Sequence, residues 1–246
     1  TPAEAPMLRS IPPAPREGPP PRATSTGPIP LAAPQKIAPG LVAPSMVHQT
    51  VLGGLKSPTD LAFTVDRALL FTDRVQGLFA RSPGGDVVRL FAPKDLAIAG
   101  PSGMLALAVD PEFQRNRYVY VFMRSSADGR ESSRVVRITL AAPYTRASDR
   151  RDILVTEADA ASDDARSGDP HFGGSLLCGP DGFLYVCLGD ERSVTGPQSP
   201  QKLAGKVLRI DRNGKAAPGN RSPAGYDNRV IASGLRDPVA LAFHVN

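Results

Sequence analysis

A six-residue pattern recurs along the chain and constrains its fold more than any other feature. "LAFTVD", "LALAVD", "LLCGPD" and "LAFHVN" begin at residues 61, 105, 176 and 241, at intervals of 44, 71 and 65 residues. Each reads as an apolar strand ending in turn chemistry. Asp66, Asp110-Pro111 and Pro180-Asp181-Gly182 supply the reversal a hairpin needs. Three run on into a second apolar strand: "ALLFTD" (68–73), "YVYVFM" (118–123) and "FLYVCLGD" (183–190). A longer echo joins the two ends. "QTVLGGLKSPTDLAF" (49–63) and "RVIASGLRDPVALAF" (229–243) share an apolar strand, a Gly-Leu-basic step, a proline and Leu-Ala-Phe. Further strands are expected at 86–92, 133–140, 152–158 and 205–215, and helical periodicity is weak throughout. A four-stranded propeller blade takes roughly 40–50 residues, and longer intervals hold loop insertions. The fold expected is all-β: an incomplete β-propeller of about three blades plus the first strand of a fourth. A closed propeller leaves only short, protected edges. An open arc exposes apolar edges, so the chain is expected to be the N-terminal portion of a longer propeller or to pair with another chain through its open blade edge.

Residues 1–45 are of a different kind, with 13 of the 26 prolines. Proline fixes φ and removes a backbone donor, so this segment reads as a disordered or extended tether ahead of a partial propeller at 46–246. The hydrophobic share of 41% and charged share of 22% are those of a globular protein. No run approaches the roughly eighteen apolar residues of a membrane-spanning helix. The net charge of +5 is spread along the chain, aromatics are only 6% and tryptophan is absent, which argues against a nucleic-acid partner. No basic-plus-apolar leader opens the chain at Thr1. With the hairpin turn at Pro180–Gly182, Cys178 falls opposite Leu184 and Cys187 opposite Ser175, too far apart for a disulfide, so two free, buried thiols are expected.

The candidate chemistry centres on "HFGGSLLCGPDGFLYVCLGD", residues 171–190. The residue entering the first strand of a hairpin and the residue leaving the second share one end of the blade, which brings His171 and Asp190 together. A carboxylate on one ring nitrogen fixes the tautomer and leaves the other free to take a proton. The bland alternative is a surface histidine in a Gly-rich loop and an aspartate in a strand-end turn. Elsewhere the signals are thinner. His48 and His244 have no acidic or cysteine partner at useful spacing. Asp163, Asp164 and Asp169 cluster without the spacing of a calcium loop. Asn220-Arg221-Ser222 fits a glycosylation acceptor but is followed by Pro223. No phosphate loop, nucleotide fingerprint or Gly-x-Ser-x-Gly elbow is present.

From about residue 48 to the end, the chain resembles the glucose/sorbosone dehydrogenase family, soluble quinoprotein sugar dehydrogenases on a six-bladed propeller. The likeness is carried by the 171–190 stretch, by "GKVLRIDRNG" and "ASGLRDPVALAF", and earlier by "GMLALAVDPEFQRNRYVYV" (103–121). The resemblance implies oxidation of an aldose sugar at its anomeric carbon, with hydride passing to pyrroloquinoline quinone (PQQ) held by calcium. It casts His171 as the base and Asp190 as its orienter. Arg236 would stand beside the quinone, where a fixed guanidinium stabilises developing negative charge. It also implies an exported protein, periplasmic or extracellular. Several positions depart from the family pattern. Asp237 stands where asparagine is usual, Phe172 follows the histidine, Pro170 precedes it, Pro101 replaces a polar residue, and Leu235 replaces a histidine. "GLKSP" (54–58) has the shape of "GLRDP" (234–238), so a basic residue at 236 also suits the blade connection itself. The family's calcium loop is expected beyond Asn246. The alternative is a catalytically inactive propeller of the same lineage, acting as a protein- or glycan-binding module. A lactonase-like propeller would need acidic and asparagine metal ligands from several blades, which this sequence does not assemble.

Overall fold

The computed structural model describes residues 48–127, 130–157 and 170–244. The proline-rich segment 1–45 and the Asp163, Asp164 and Asp169 cluster lie outside the described residues. Twelve strands form three four-stranded antiparallel sheets, each a meander in chain order. The first comprises β1 (Pro58–Phe63), β2 (Leu69–Asp73), β3 (Gly77–Arg81) and β4 (Val87–Phe91). The second comprises β5 (Met104–Val109), β6 (Tyr118–Ala127), β7 (Arg130–Leu140) and β8 (Ala147–Glu157). The third comprises β9 (Gly173–Cys178), β10 (Leu184–Leu188), β11 (Lys206–Ile210) and β12 (Val230–Ser233). These are three propeller blades, each begun by one of the first three hexapeptides.

The apolar run of β6 explains how the blades stack. In a strand successive side chains point to opposite faces, so a strand apolar at every position is buried on both. Val119, Val121 and Met123 pack with Leu70, Leu78 and Leu90 of the first blade. Tyr120 and Phe122 pack with Leu176, Val186 and Leu208 of the third. The second blade is thus the shared wall of two cores.

Polar clamps join the blades where the hexapeptides turn. Asp110, ending the second hexapeptide, takes a forked pair of bonds from Arg212 of the third blade, at 2.8 and 3.0 Å. It also accepts Tyr120 Oη–H at 2.6 Å, the Asn116 amide at 2.9 Å and the Glu112 N–H at 2.8 Å. Burial alone would raise this carboxyl, but these donors outweigh it and hold it below the usual carboxylate range. Asp66, one blade earlier, meets Arg117 at 3.5 Å and the Tyr144 hydroxyl of the second blade. At the inner edge, Asp60 Oδ2 caps the Leu107 N–H of β5 at 2.9 Å, so that donor is not left open.

The inner strands β1, β5 and β9, together with Val239–Leu241, line a common cavity of about 640 Å³. The fourth hexapeptide therefore occupies the place of an inner strand, yet Leu241–His244 has no ladder bonds. A strand needs a partner, and none follows within the described residues. Val51 and Leu52, expected in an apolar strand, lie in a bend for the same reason. β3 was not among the expected strands. It is short, and it starts at Gly77, where φ is 104° and a Cβ would stand 2.1 Å from Phe91 O. The thiols are free as expected, Cys187 buried and Cys178 half-buried, and Leu184 pairs with Cys178. Burial pushes Cys178 up to about 12, which makes it inert. The Asn220 amide donates to the Arg209 and Asn228 carbonyls, both at 2.9 Å, which commits it to the fold rather than to a glycan.

Two predictions follow from this packing. Phe122→Ala empties a site buried between blades and is expected to cost about 3–5 kcal/mol in urea unfolding, whereas Leu61→Ala on the exposed face of β1 is expected to cost under about 0.5. Arg212→Met takes two donors from the buried Asp110 carboxylate and leaves those of Tyr120, Asn116 and Glu112; it is expected to cost about 1.5–2 kcal/mol at pH 7, with Asp110→Asn in the same background recovering part of it. Because folding lowers the Asp110 pKa, that contribution is fully present above the usual carboxylate pKa and is lost as pH falls from there through the lowered folded-state pKa.

Candidate functional site

The third blade brings His171 and Asp190 together. His171 stands two residues before β9 and Asp190 two after β10, and His171 Nδ1 lies 3.0 Å from Asp190 Oδ1. The hairpin achieves this with two glycines in back-to-back contact. Gly173 has φ of 67°, and a Cβ there would stand 2.7 Å from Gly189 N. A Cβ on Gly189 would stand 2.0 Å from His171 O. The ladder shifts register between Val186 and Leu188 at the same level, which re-aims the strand end as bulges do.

Asp190 is fully buried while the His171 side chain keeps 27% exposure, so one end of the pair is enclosed and the other reaches solvent. A carboxylate only accepts, so in the neutral ring Nδ1 carries the proton and Nε2 keeps its lone pair. Arg236 Nε also lies 3.5 Å from Nδ1, at the outer limit for a bond. Nδ1–H cannot accept a second donor, so the shorter contact to Asp190 decides the tautomer. Arg236 is held there by its backbone, whose carbonyl accepts the Asp190 N–H at 2.8 Å.

Asp237 does not stand free beside the pair. Its Oδ1 accepts the Gly173 N–H at 3.1 Å, a bond that asparagine would make equally well. Pro101 lies in a loop tied to the first blade by Arg74, whose Nη1 donates to the Gly100 and Ser102 carbonyls at 2.6 and 2.8 Å. The histidines His48 and His244 are exposed.

The first blade carries the same device without the imidazole. Asp73, ending β2, accepts the Ser57, Val75 and Gln76 N–H groups at 2.9, 3.1 and 3.0 Å. Asp190 likewise accepts the N–H two residues on, from Arg192 at 2.9 Å. Arg74 N–H donates to Ser57 O in one blade, and Glu191 N–H to His171 O in the other. The aspartate is therefore a turn residue of the blade, and the histidine is what the third blade adds.

Sequence reasoning missed two groups. Lys206 is fully buried, with Nζ donating to the Gly196, Pro197 and Ala204 carbonyls at 2.9 Å each, so it ties the loop after Asp190 to β11. Burial pushes it down to about 8. Arg124 ends the apolar run of β6, and its side chain is nonetheless only 3% exposed. Among the described residues, no group of three or more His, Cys, Asp or Glu could hold a metal ion.

The chain belongs to the Glucose / Sorbosone dehydrogenase family, whose model matches residues 55–246. Over 221 residues it is 25% identical to quinoprotein glucose dehydrogenase B of Acinetobacter calcoaceticus, covering 80% of this chain and 46% of that protein. The PQQ-bound aldose sugar dehydrogenase structure from Streptomyces coelicolor superposes with a TM-score of 0.64 at 26% identity, covering 78% of this chain and 55% of that one. The Hedgehog-interacting protein of Mus musculus is 24% identical over 177 residues, 66% of this chain and 25% of that protein. The chain spans about half the length of these sugar dehydrogenases.

Asp237→Asn preserves the acceptor for Gly173 N–H and is expected to leave unfolding stability within about 0.5 kcal/mol. Asp237→Ala is expected to cost about 1 kcal/mol in the same urea titration.

Proposed function

We propose that this chain carries the proton-abstracting half of a PQQ-dependent sugar dehydrogenase, oxidising an aldose at its anomeric carbon with His171 as general base. The observation that carries the reading is the buried Asp190 carboxylate on His171 Nδ1, with the imidazole reaching solvent. Asp190 holds the ring orientation and balances the positive charge the ring acquires on taking a hydroxyl proton at Nε2. Arg236 places an exposed guanidinium beside the base, and this is the group that would hold an anionic quinone. When bound, PQQ supplies the hydride-accepting chemistry that side chains lack. The Asp237 carboxylate is engaged by Gly173 N–H, which eases the crowding of like charges there. An exported setting, periplasmic or extracellular, goes with this reading. So does continuation of the propeller, by further blades or a partner chain, over the exposed Leu61, Phe63 and Val65 of the first blade.

A second reading is a propeller of this lineage used only for binding a protein or glycan. The match to a Hedgehog-interacting protein favours it. Thermal-shift titration with PQQ, with and without Ca²⁺, separates the two. At about a hundred times its Kd, a ligand stabilises the fold by about 2.7 kcal/mol. The expected result is a saturable shift that Arg236→Ala weakens and His171→Ala retains. His171→Ala is expected to lower kcat for sugar oxidation with a dye acceptor by about 10²–10⁴-fold. No shift in well-folded protein would leave the binding reading.

A further inference from the structure

Arg124, the seventh residue of β6, has a side chain only 3% exposed. Its Nη1 donates to Ser133 Oγ at 2.8 Å and to Glu191 Oε1 at 3.1 Å, and Ser133 Oγ–H donates to the same Glu191 oxygen at 2.9 Å. Its Nη2 donates to Glu131 Oε2 at 3.3 Å, and its guanidinium lies 4.1 Å above the buried Phe172 ring. The two residues Arg124 reaches on the third blade are telling. Phe172 follows His171, and Glu191 follows Asp190. One buried cation therefore grips the chain immediately after each member of the pair.

The backbone at that grip is strained. Glu191 and Arg192 have φ of 48° and 73°, in the left-handed region that non-glycine residues seldom adopt. Such a conformation persists only where the surroundings over-determine it. Here the Glu191 carboxylate is clamped by Arg124 and Ser133, its N–H bonds His171 O at 3.0 Å, and the Arg192 N–H bonds Asp190 Oδ1. A buried ion pair is a weak source of net stability. Its effect here is geometric.

We propose that Arg124, with Glu191 and Phe172, forms a positioning unit that holds the Asp190 carboxylate on Nδ1 of His171 and so fixes the imidazole tautomer. The unit serves the site from the neighbouring blade. Its role in turnover rests on the dehydrogenase reading, but its effect on the tautomer does not.

The test uses protein labelled with ¹⁵N in its imidazole rings. There are three histidines, so His48→Gln and His244→Gln assign the His171 signals. The full chain is expected to show neutral His171 as the Nδ1–H tautomer. Arg124→Met and Glu191→Ala are expected to move it mainly to the Nε2–H form while melting cooperatively. Sugar oxidation is expected to fall toward a hundredfold in kcat with little change in KM, as roughly 1 Å of misplacement does elsewhere. Should Arg124→Met fail to fold, Glu191→Ala decides alone. An unchanged tautomer in the folded variants, or an Nε2–H tautomer in the unsubstituted protein, would overturn the proposal. A tautomer response in a protein that oxidises no sugar would instead remove the dehydrogenase reading and leave the positioning unit standing.

Discussion

Burial of the second blade on both faces is the constraint on which the rest of the structure depends. Two cores meet across the second blade, divided by the alternation of side chains along β5, β6 and β7. Shifting β6 by one residue would exchange Val121 and Met123 for Tyr120 and Phe122, spoiling both cores at once. Register at this strand therefore governs how the first and third blades sit against the second. The Asp110–Arg212 clamp then acts at the turn end, where apolar contact gives way to solvent. With the angle between blades held from the core and from the rim, the inner strands converge on one cavity, and the loops that open them come within bonding distance of one another.

Much of this architecture can be read from the residues, because a hairpin writes itself locally. The hexapeptides mark each inner strand, and the aspartates that close them were correctly seen as turn residues. The second use of Asp66 and Asp110, in ion pairs between blades, was hidden because Arg117 and Arg212 lie far away in sequence. The peripheral pieces fared differently. β3 has only two large apolar residues, Leu78 and Phe79, and begins at Gly77, where β4 approaches too closely for a Cβ. Val51–Leu52 and Leu241–His244 have strand-like composition but no ladder partner among the described residues, which is a fact of tertiary structure that composition does not encode.

The site was legible in the same uneven way. His171 and Asp190 could be paired from sequence because hairpin geometry makes their closeness a local matter. Arg236 and Asp237 fall beside them because the connection leaving β12 runs past the end of β9, and the Asp190–Arg236 backbone bond ties the two together. Arg124 was invisible as a contributor: it comes from another blade, and nothing in its spacing points to Phe172 or Glu191. Lys206 was likewise unremarkable in "GKVLRI" until three carbonyls were found around its ammonium. The two members of the candidate pair are local in sequence, while the residues packed around them are not.

The likeness between the Asp73–Ser57 and Asp190–His171 turns has a consequence for how such a scaffold can change. In both blades the carboxylate already satisfies backbone donors of its own turn, so the acid is a fixture of the architecture and exists whether or not an imidazole faces it. A histidine arriving at that position finds an orienting partner ready. A histidine lost from it leaves the carboxylate with turn donors still in place, as in the first blade. An imidazole at this position can thus be gained or lost while the framework of the turn stays the same.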